Sequence, residues 1–261
     1  MGRLNRRALF RNSLLVAGGA GATVLAEKIP HWVGPDRLPI DGGYAPTEDH
    51  GGLIKSGQVV TTWFVPTDEP VVALTFDDGP QPDWTPMVLD LLDEVQASAT
   101  FFMIGEHLQA NRALVAGRMD RHVVGNHTWT HCDLAEQDVE SAMKQFSKAH
   151  EEITRTIGRE PTIMRPPWGH LGGAAMLAAN AMHYNVILWS REMHPETFTD
   201  TKSQVDDIVQ NAVPGTIVLA HDVGLKERLS GLRGVADIVR GLRGRGFRVV
   251  TVPEMLALTV A

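Results

Sequence analysis

Val71-Val72-Ala73-Leu74-Thr75-Phe76-Asp77-Asp78-Gly79-Pro80 is an apolar run that ends in two adjacent acids and a Gly-Pro turn. Asp, Gly and Pro also favour tight turns in their own right. Two neighbouring carboxylates at a strand end, however, repel one another unless something neutralises them. A second short run, His122 to Asn126, leads into His127-Thr128-Trp129-Thr130-His131. One carboxylate and two imidazoles form a three-ligand set for a divalent metal that keeps a position open for water. With Asp78 as ligand alongside His127 and His131, Asp77 is left free to take a proton from that water, which points to metal-assisted hydrolysis. Cys132 follows His131 directly and is either a further ligand or a small packed side chain. The other histidines (His31, His50, His107, His122, His150, His170, His183 and His194) have no comparable setting and read as surface or packing residues.

Outward from these two segments the chain alternates. Seven short apolar or β-branched runs occur at 71–76, 99–104, 122–126, 162–165, 186–189, 216–220 and 247–251. Between them lie stretches with helical spacing. Met87, Leu91, Leu92 and Val95 form one face; Val139, Met143, Phe146, His150 and Ile153 a second; Leu232, Val235, Ile238, Val239 and Leu242 a third. Strand alternating with helix predicts an α/β fold with a parallel sheet, open or closed into a barrel. Asp77-Asp78, His127, Arg165, Ser190 and His221 each follow the C-terminal end of a run, and in parallel α/β folds those ends converge on one face. Arg165, in Arg165-Pro166-Pro167-Trp168-Gly169, is placed to orient Asp77, and the rigid loop after it to aim a backbone amide at a developing oxyanion. His221, at the end of Ile217-Val218-Leu219-Ala220, is a candidate general acid, because imidazole titrates in the range needed to protonate a leaving amine or alkoxide.

The 261 residues are 43% hydrophobic and 21% charged, enough for one large domain with a substantial core. Residues 1–26 hold four of the 24 basic side chains (Arg3, Arg6, Arg7 and Arg11) and no acid, leaving 20 basic and 31 acidic groups, a net of −11, on the remainder. Such a surface repels nucleic acid and anionic lipid. A single cysteine permits no internal disulfide. A basic head, an apolar stretch from Leu14 to Ala26 and a small residue at its end describe an export signal over residues 1–26, and the Arg6-Arg7 pair resembles a twin-arginine signal. The apolar stretch is shorter than the roughly 20 residues of a spanning helix, so contact with a membrane is expected only if the segment stays uncleaved. Residues 27–68, with five prolines and two Gly-Gly pairs, read as a linker or lead-in, and 69–261 as the main domain, which is expected to be monomeric.

Taken together, these segments resemble the NodB-type polysaccharide deacetylases, carbohydrate esterase family four, over about residues 69–258. Thr75-Phe76-Asp77-Asp78-Gly79-Pro80 and Gly125-Asn126-His127-Thr128-Trp129-Thr130-His131 are the specific matches; Ala99–Gly105 and Gly244–Val252 support them. The resemblance implies a distorted (β/α)7 barrel and a hydrolase that removes acetyl groups from an N-acetylated polysaccharide, peptidoglycan-like or chitin-like. The rival expectations are an O-acetyl (xylan) esterase on the same fold and a glycan-binding protein without activity. The resemblance further implies Asp77 as general base, Asp78, His127 and His131 as metal ligands, Arg165 as the holder of the base, and His221 as general acid. It places the Trp168 amide at the oxyanion and Leu219 against the acetyl methyl. Zinc suits two imidazoles and a carboxylate, and cobalt, nickel or iron accept the same set. The chain departs from the family in Trp189-Ser190-Arg191-Glu192-Met193-His194-Pro195-Glu196. Pro195 stands where the family places the aspartate that tethers the acid histidine, which leaves Glu192 or Glu196 to supply that carboxylate.

Overall fold

The computed structural model describes residues 58–224 and 226–258; the expected export segment and most of the lead-in lie outside the described residues. Nine strands of the described residues form one sheet: β1 (Thr61–Thr62), β2 (Val71–Asp77), β3 (Thr100–Met103), β4 (Val123–Asn126), β5 (Ile163–Met164), β6 (Asn185–Ile187), β7 (Arg191–Glu192), β8 (Thr216–His221) and β9 (Arg248–Val250). Among the described residues eight helices surround it: α1 (Trp84–Glu94), α2 (Gly105–Asn111), α3 (Val139–Ile157), α4 (Gly173–Ala181), α5 (Thr201–Asn211), α6 (Arg228–Arg233), α7 (Val235–Gly244) and α8 (Val252–Leu256).

All seven expected runs are strands, and every strand-to-strand ladder is parallel. The order β6-β5-β4-β3-β2-β8-β7 closes on itself, because β6 and β7 belong to one extended stretch. Asn185 and Val186 at its start pair with β5, while Arg191 and Glu192 at its end pair with β8. The result is a distorted barrel. β9 adds to the distortion by pairing only with the first half of β2, at Val71, Val72 and Ala73, whereas β3 pairs with the second half. β1 lies in the stretch expected as lead-in. It pairs with β6, and a Phe64–Thr216 bridge carries the chain on to β8.

Alternation along the strands sorts side chains into two layers. Val71, Ala73, Phe102, Ile163, Ile187, Ile217 and Val250 contact one another in the barrel interior. Val72, Leu74, Phe76, Phe101, Met103, Val218 and Ala220 point outward and pack with Val88, Leu89 and Leu92 of α1 and with Ile238, Val239 and Leu242 of α7. By the same alternation Thr75, Asp77, Leu219 and His221 face inward, so Asp77 and His221 are delivered together to the end of the barrel.

The helices end where local chemistry satisfies their free backbone groups. The Asp138 and Asp200 side chains accept from Ser141 and Ser203 amides at the starts of α3 and α5, and Gly158, with φ 76°, closes α3. Two helical faces differ from their expected form. On α1 the deepest residues are Val88, Leu89 and Leu92, with Met87 and Leu91 only partly covered, because this helix is apolar on more than one side. The third expected face, Leu232 to Leu242, is buried but divided between α6 and α7 at Gly234, where a Cβ would sit 2.5 Å from Val205 Cγ2 of α5.

His122, just before β4, is 1% exposed; its Nδ1 accepts from the Ala99 amide at 3.1 Å and its Nε2 has no partner. Burial, reinforced by Arg121, Arg118 and Arg159 against Asp93, pushes its pKa down to about 4. The unfolded chain, titrating near 6.5, takes up this proton first, so stability is complete above about pH 6.5 and is lost as pH falls, by about 3 kcal/mol at about pH 4. Melting temperatures followed from pH 7.5 to pH 4.5 should fall less steeply for His122→Gln than for the wild type. Parallel curves for the two proteins would contradict this account.

Candidate active site

β2 ends at Asp77, and the chain turns at once: Asp78 has φ 77°, a left-handed conformation unusual for a non-glycine residue. Three bonds hold this turn. The Asp78 amide donates to the Phe102 carbonyl (3.1 Å), the Ile104 amide to the Gly79 carbonyl (3.2 Å), and the His107 ring to the Asp78 carbonyl (2.7 Å). β4 delivers His127 beside it. Asn126, fully buried, donates through Nδ2 to the Phe146 carbonyl and the Tyr184 hydroxyl, and its Oδ1 accepts from the Thr128 amide at 2.8 Å. The Gln145 side chain accepts from the Trp129 and Thr130 amides. The loop therefore turns tightly, with φ 67° at Thr128 and 58° at His131, and returns the second imidazole to the first.

Asp78, His127 and His131 meet, with ligand atoms all within 4.8 Å of one another. Asp78 Oδ1 lies 3.3 Å from His127 Nε2 and 3.1 Å from His131 Nε2. It is buried and has no aligned hydrogen-bond donor. His127 Nδ1 lies 2.7 Å from the Arg165 carbonyl, which can only accept; Nδ1 therefore carries a proton, and in the neutral ring Nε2 turns its lone pair toward Asp78. Burial disfavours a charged His127, but Asp77 and Asp78 outweigh it and raise its pKa. An orphaned carboxylate oxygen facing two imidazole nitrogens is the donor set of a divalent cation. Cys132 is half-buried and is not part of this cluster.

Asp77 is 3% exposed. Arg165, fully buried, donates through Nη1 to Asp77 Oδ1 (2.7 Å) and Thr75 Oγ1 (2.8 Å), through Nε to the Ile187 carbonyl (3.1 Å) and through Nη2 to the Leu188 carbonyl (2.9 Å). Its guanidinium lies over the Phe102 ring at 4.2 Å. Asp77 Oδ2 is left free, 3.8 Å from His127 Nε2.

Trp168 follows in a 3₁₀ turn at Pro167–Gly169 with φ 54°; its indole is 58% exposed and meets the His131 ring edge-on at 4.4 Å. Leu219 is buried on β8, paired with Thr75. His221 is the β8 partner of Asp77, which places the two on the same face of neighbouring strands. Burial lowers its pKa and Arg228 adds to that, against the pull of Asp77 and Asp78.

The tether expected from Glu192 or Glu196 is absent among the described residues. Glu196 is at the surface, 3.0 Å from His194, and Glu192 sits on β7 opposite Leu219. Pro195, His221 and Arg228 line one small cavity instead. Arg228, which sequence reasoning did not single out, donates to the Val223 carbonyl and reaches to 3.9 Å from Asp78 Oδ2. Asp222 was likewise missed; its position directly after His221 was the available signal.

The polysaccharide deacetylase family model matches residues 64–187. The chain is 38% identical over 198 residues to a peptidoglycan-N-acetylglucosamine deacetylase of Bacillus cereus, covering 75% of this chain and 92% of that protein. Its fold superposes on the crystal structure of a peptidoglycan N-acetylglucosamine deacetylase bound to 4-naphthalen-1-yl-N-oxidanyl-benzamide, with TM-score 0.72, 28% identity and coverage of 76% and 94% of the two chains. A family 4 acetyl xylan esterase of Clostridium thermocellum, solved with a cobalt ion, gives TM-score 0.66 and 26% identity, covering 72% and 91%.

Metal-stripped protein titrated with Zn²⁺ in a calorimeter should bind one ion. Asp78→Ala and His127→Ala should each lower that affinity by roughly 100-fold or more, exceeding the loss typical of an outer partner of a metal ligand. Undiminished affinity in either variant would remove its side chain from the ligand set.

Proposed function

The chain belongs to the NodB-type polysaccharide deacetylases, and from that premise we propose that it hydrolyses the acetamide of an N-acetylated cell-wall or chitin-like glycan to acetate and a free amine. The observation that carries this reading is the pairing of two sites. Asp78 Oδ1 is orphaned between two imidazoles, and next to it Asp77 keeps one oxygen free while Arg165 holds the other. Asp78, His127 and His131 would hold a divalent cation, most simply zinc, which when bound would polarise the acetyl carbonyl and lower the pKa of water.

The protein's own residues supply the rest. Asp77 accepts the proton of the attacking water, and Arg165 fixes the carboxylate so that only Oδ2 faces the substrate. The Trp168 amide, on its left-handed turn, serves the oxyanion of the tetrahedral intermediate. Leu219 packs against the acetyl methyl. His221 donates a proton to the departing nitrogen as the carbon–nitrogen bond breaks. Glycans built from pyranose rings offer apolar faces, and the exposed Trp168 indole gives such a ring a surface beside the reacting acetyl group.

Acetate release from chitooligosaccharide, peptidoglycan and acetylated xylan tests the assignment. N-acetylated substrates should react, whereas turnover of the xylan alone would make the protein an O-acetyl esterase. Asp77→Asn should lower kcat by roughly 10²- to 10⁴-fold, the range of a lost general base, while one bound metal ion per chain remains. Export rests on the arginine-headed apolar segment. Lysine at both Arg6 and Arg7 should strand the protein in the cytoplasm, as read by cell fractionation; unchanged secretion would exclude the twin-arginine route.

A further inference from the structure

β2 and β8 share a ladder whose last pair is Asp77 and His221. Beyond that pair the Asp78–Gly79 turn takes its backbone bonds from the other side, from Phe102 and Ile104. On the β8 side the Gly79 backbone meets the Asp222 carboxyl group. Asp222 is 0% exposed, and its Oδ2 accepts from Thr85 Oγ1 at 2.5 Å. The same hydroxyl oxygen accepts from the Gln81 amide at 2.8 Å. The carboxyl lies against the Gly79 backbone so closely that a Cβ there would be 2.4 Å from Oδ2 and 2.6 Å from Oδ1. Asp222 therefore fills the space in which residue 79 would carry a side chain, and glycine is required at 79 for that reason. Oδ1 is buried with no hydrogen-bond partner.

We propose that Asp222 is a positioning residue, a buried clasp that joins the ends of β2 and β8 and holds the Asp77–Asp78–Gly79 turn in the geometry its side chains need. The inference rests on the reading that this turn carries a metal ligand and the general base. It explains why a costly group sits there. A buried acid with one orphaned oxygen is destabilising relative to an apolar pair of the same shape. Burial, opposed by the Thr85 hydroxyl and reinforced by Asp78 and Asp77, pushes its pKa up to about 7, so its charge is partly quenched and the shape of the group carries the contact. The consequence reaches both halves of the chemistry. Asp222 follows His221 directly, so a clasp on Gly79 fixes the acid histidine and the Asp77–Asp78 turn with respect to each other.

The test uses the full chain. Metal affinity of the stripped protein is titrated with Zn²⁺, kcat and KM are measured on chitooligosaccharide, and melting temperature is recorded for Asp222→Ala, Asp222→Asn and Thr85→Val. Asp222→Ala should weaken Zn²⁺ binding by about 10-fold or more and lower kcat with little change in KM, and Asp222→Asn, which keeps the shape, should restore both to within about threefold of wild type. A merely structural role would lower the melting temperature and leave Zn²⁺ affinity at the wild-type value, and that result, or equal losses in the Ala and Asn variants, overturns the proposal. Where Asp222→Ala does not fold, Thr85→Val is read by the same criteria. Wild-type protein that neither binds Zn²⁺ nor releases acetate would instead overturn the functional reading beneath it.

Discussion

A guanidinium with no exposure to water sits at the centre of this barrel, and the rest of the site is arranged around it. Arg165 uses its donors on the Asp77 carboxylate, the Thr75 hydroxyl and two carbonyls of the β6 stretch, and lies over the Phe102 ring. Burying a cation is unfavourable unless every donor is met and a charge partner stands close. Here a flat, rigid fork matches acceptors from β2 and from residues 187 and 188, while its own backbone carbonyl fixes the tautomer of His127. One residue thus joins three strands, holds the Asp77 carboxylate and fixes the ring of His127. Lysine, with one point of charge and no fork, cannot make the same set of bonds.

The second constraint is in the backbone. Seven described non-glycine residues have left-handed φ, and four of them, Asp78, Thr128, His131 and Trp168, lie on the loops that make the site. Each such conformation costs on the order of 1 kcal/mol or more and persists only where surrounding bonds enforce it. The Gln145, Asn126 and His107 side chains supply those bonds from α3, β4 and α2. Stability of the helical layer is therefore spent on holding together Asp78, His127 and His131, which would otherwise splay apart.

This division explains what the sequence made legible. The seven strands were readable because each is a contiguous apolar run, and the Asp77-Asp78 and His127–His131 groups because their chemistry is local in the chain. β1 and β7 were not readable. Each is two residues long, and Thr61-Thr62 and Arg191-Glu192 carry no apolar pattern. The barrel closes through β7, so closure itself was invisible to periodicity. Arg228 and the Thr85–Asp222 bond were missed for a different reason: the bonded pair is 137 residues apart, and nothing local to either residue names its partner. The carboxylate expected beside His221 failed because Glu196 follows Pro195 outward to the surface and pairs with His194 there.

Three acids, Asp77, Asp78 and Asp222, lie close enough to influence one another's environment, and three charges could not persist together in a half-dry pocket. The structure relieves each by a separate route. Asp77 is neutralised by Arg165. Asp222, clasped against Gly79 with its pKa pushed up, holds its proton for much of the time near neutral pH. Asp78 is met by imidazoles at 3.3 and 3.1 Å and by Arg228 no nearer than 3.9 Å. With Nδ1 giving its proton to the Arg165 carbonyl, the neutral His127 ring turns its Nε2 lone pair toward Asp78, the tautomer in which a cation can stand between them. Asp78 is thus the one acid of the three that faces two imidazole nitrogens, the set of groups that could hold a cation.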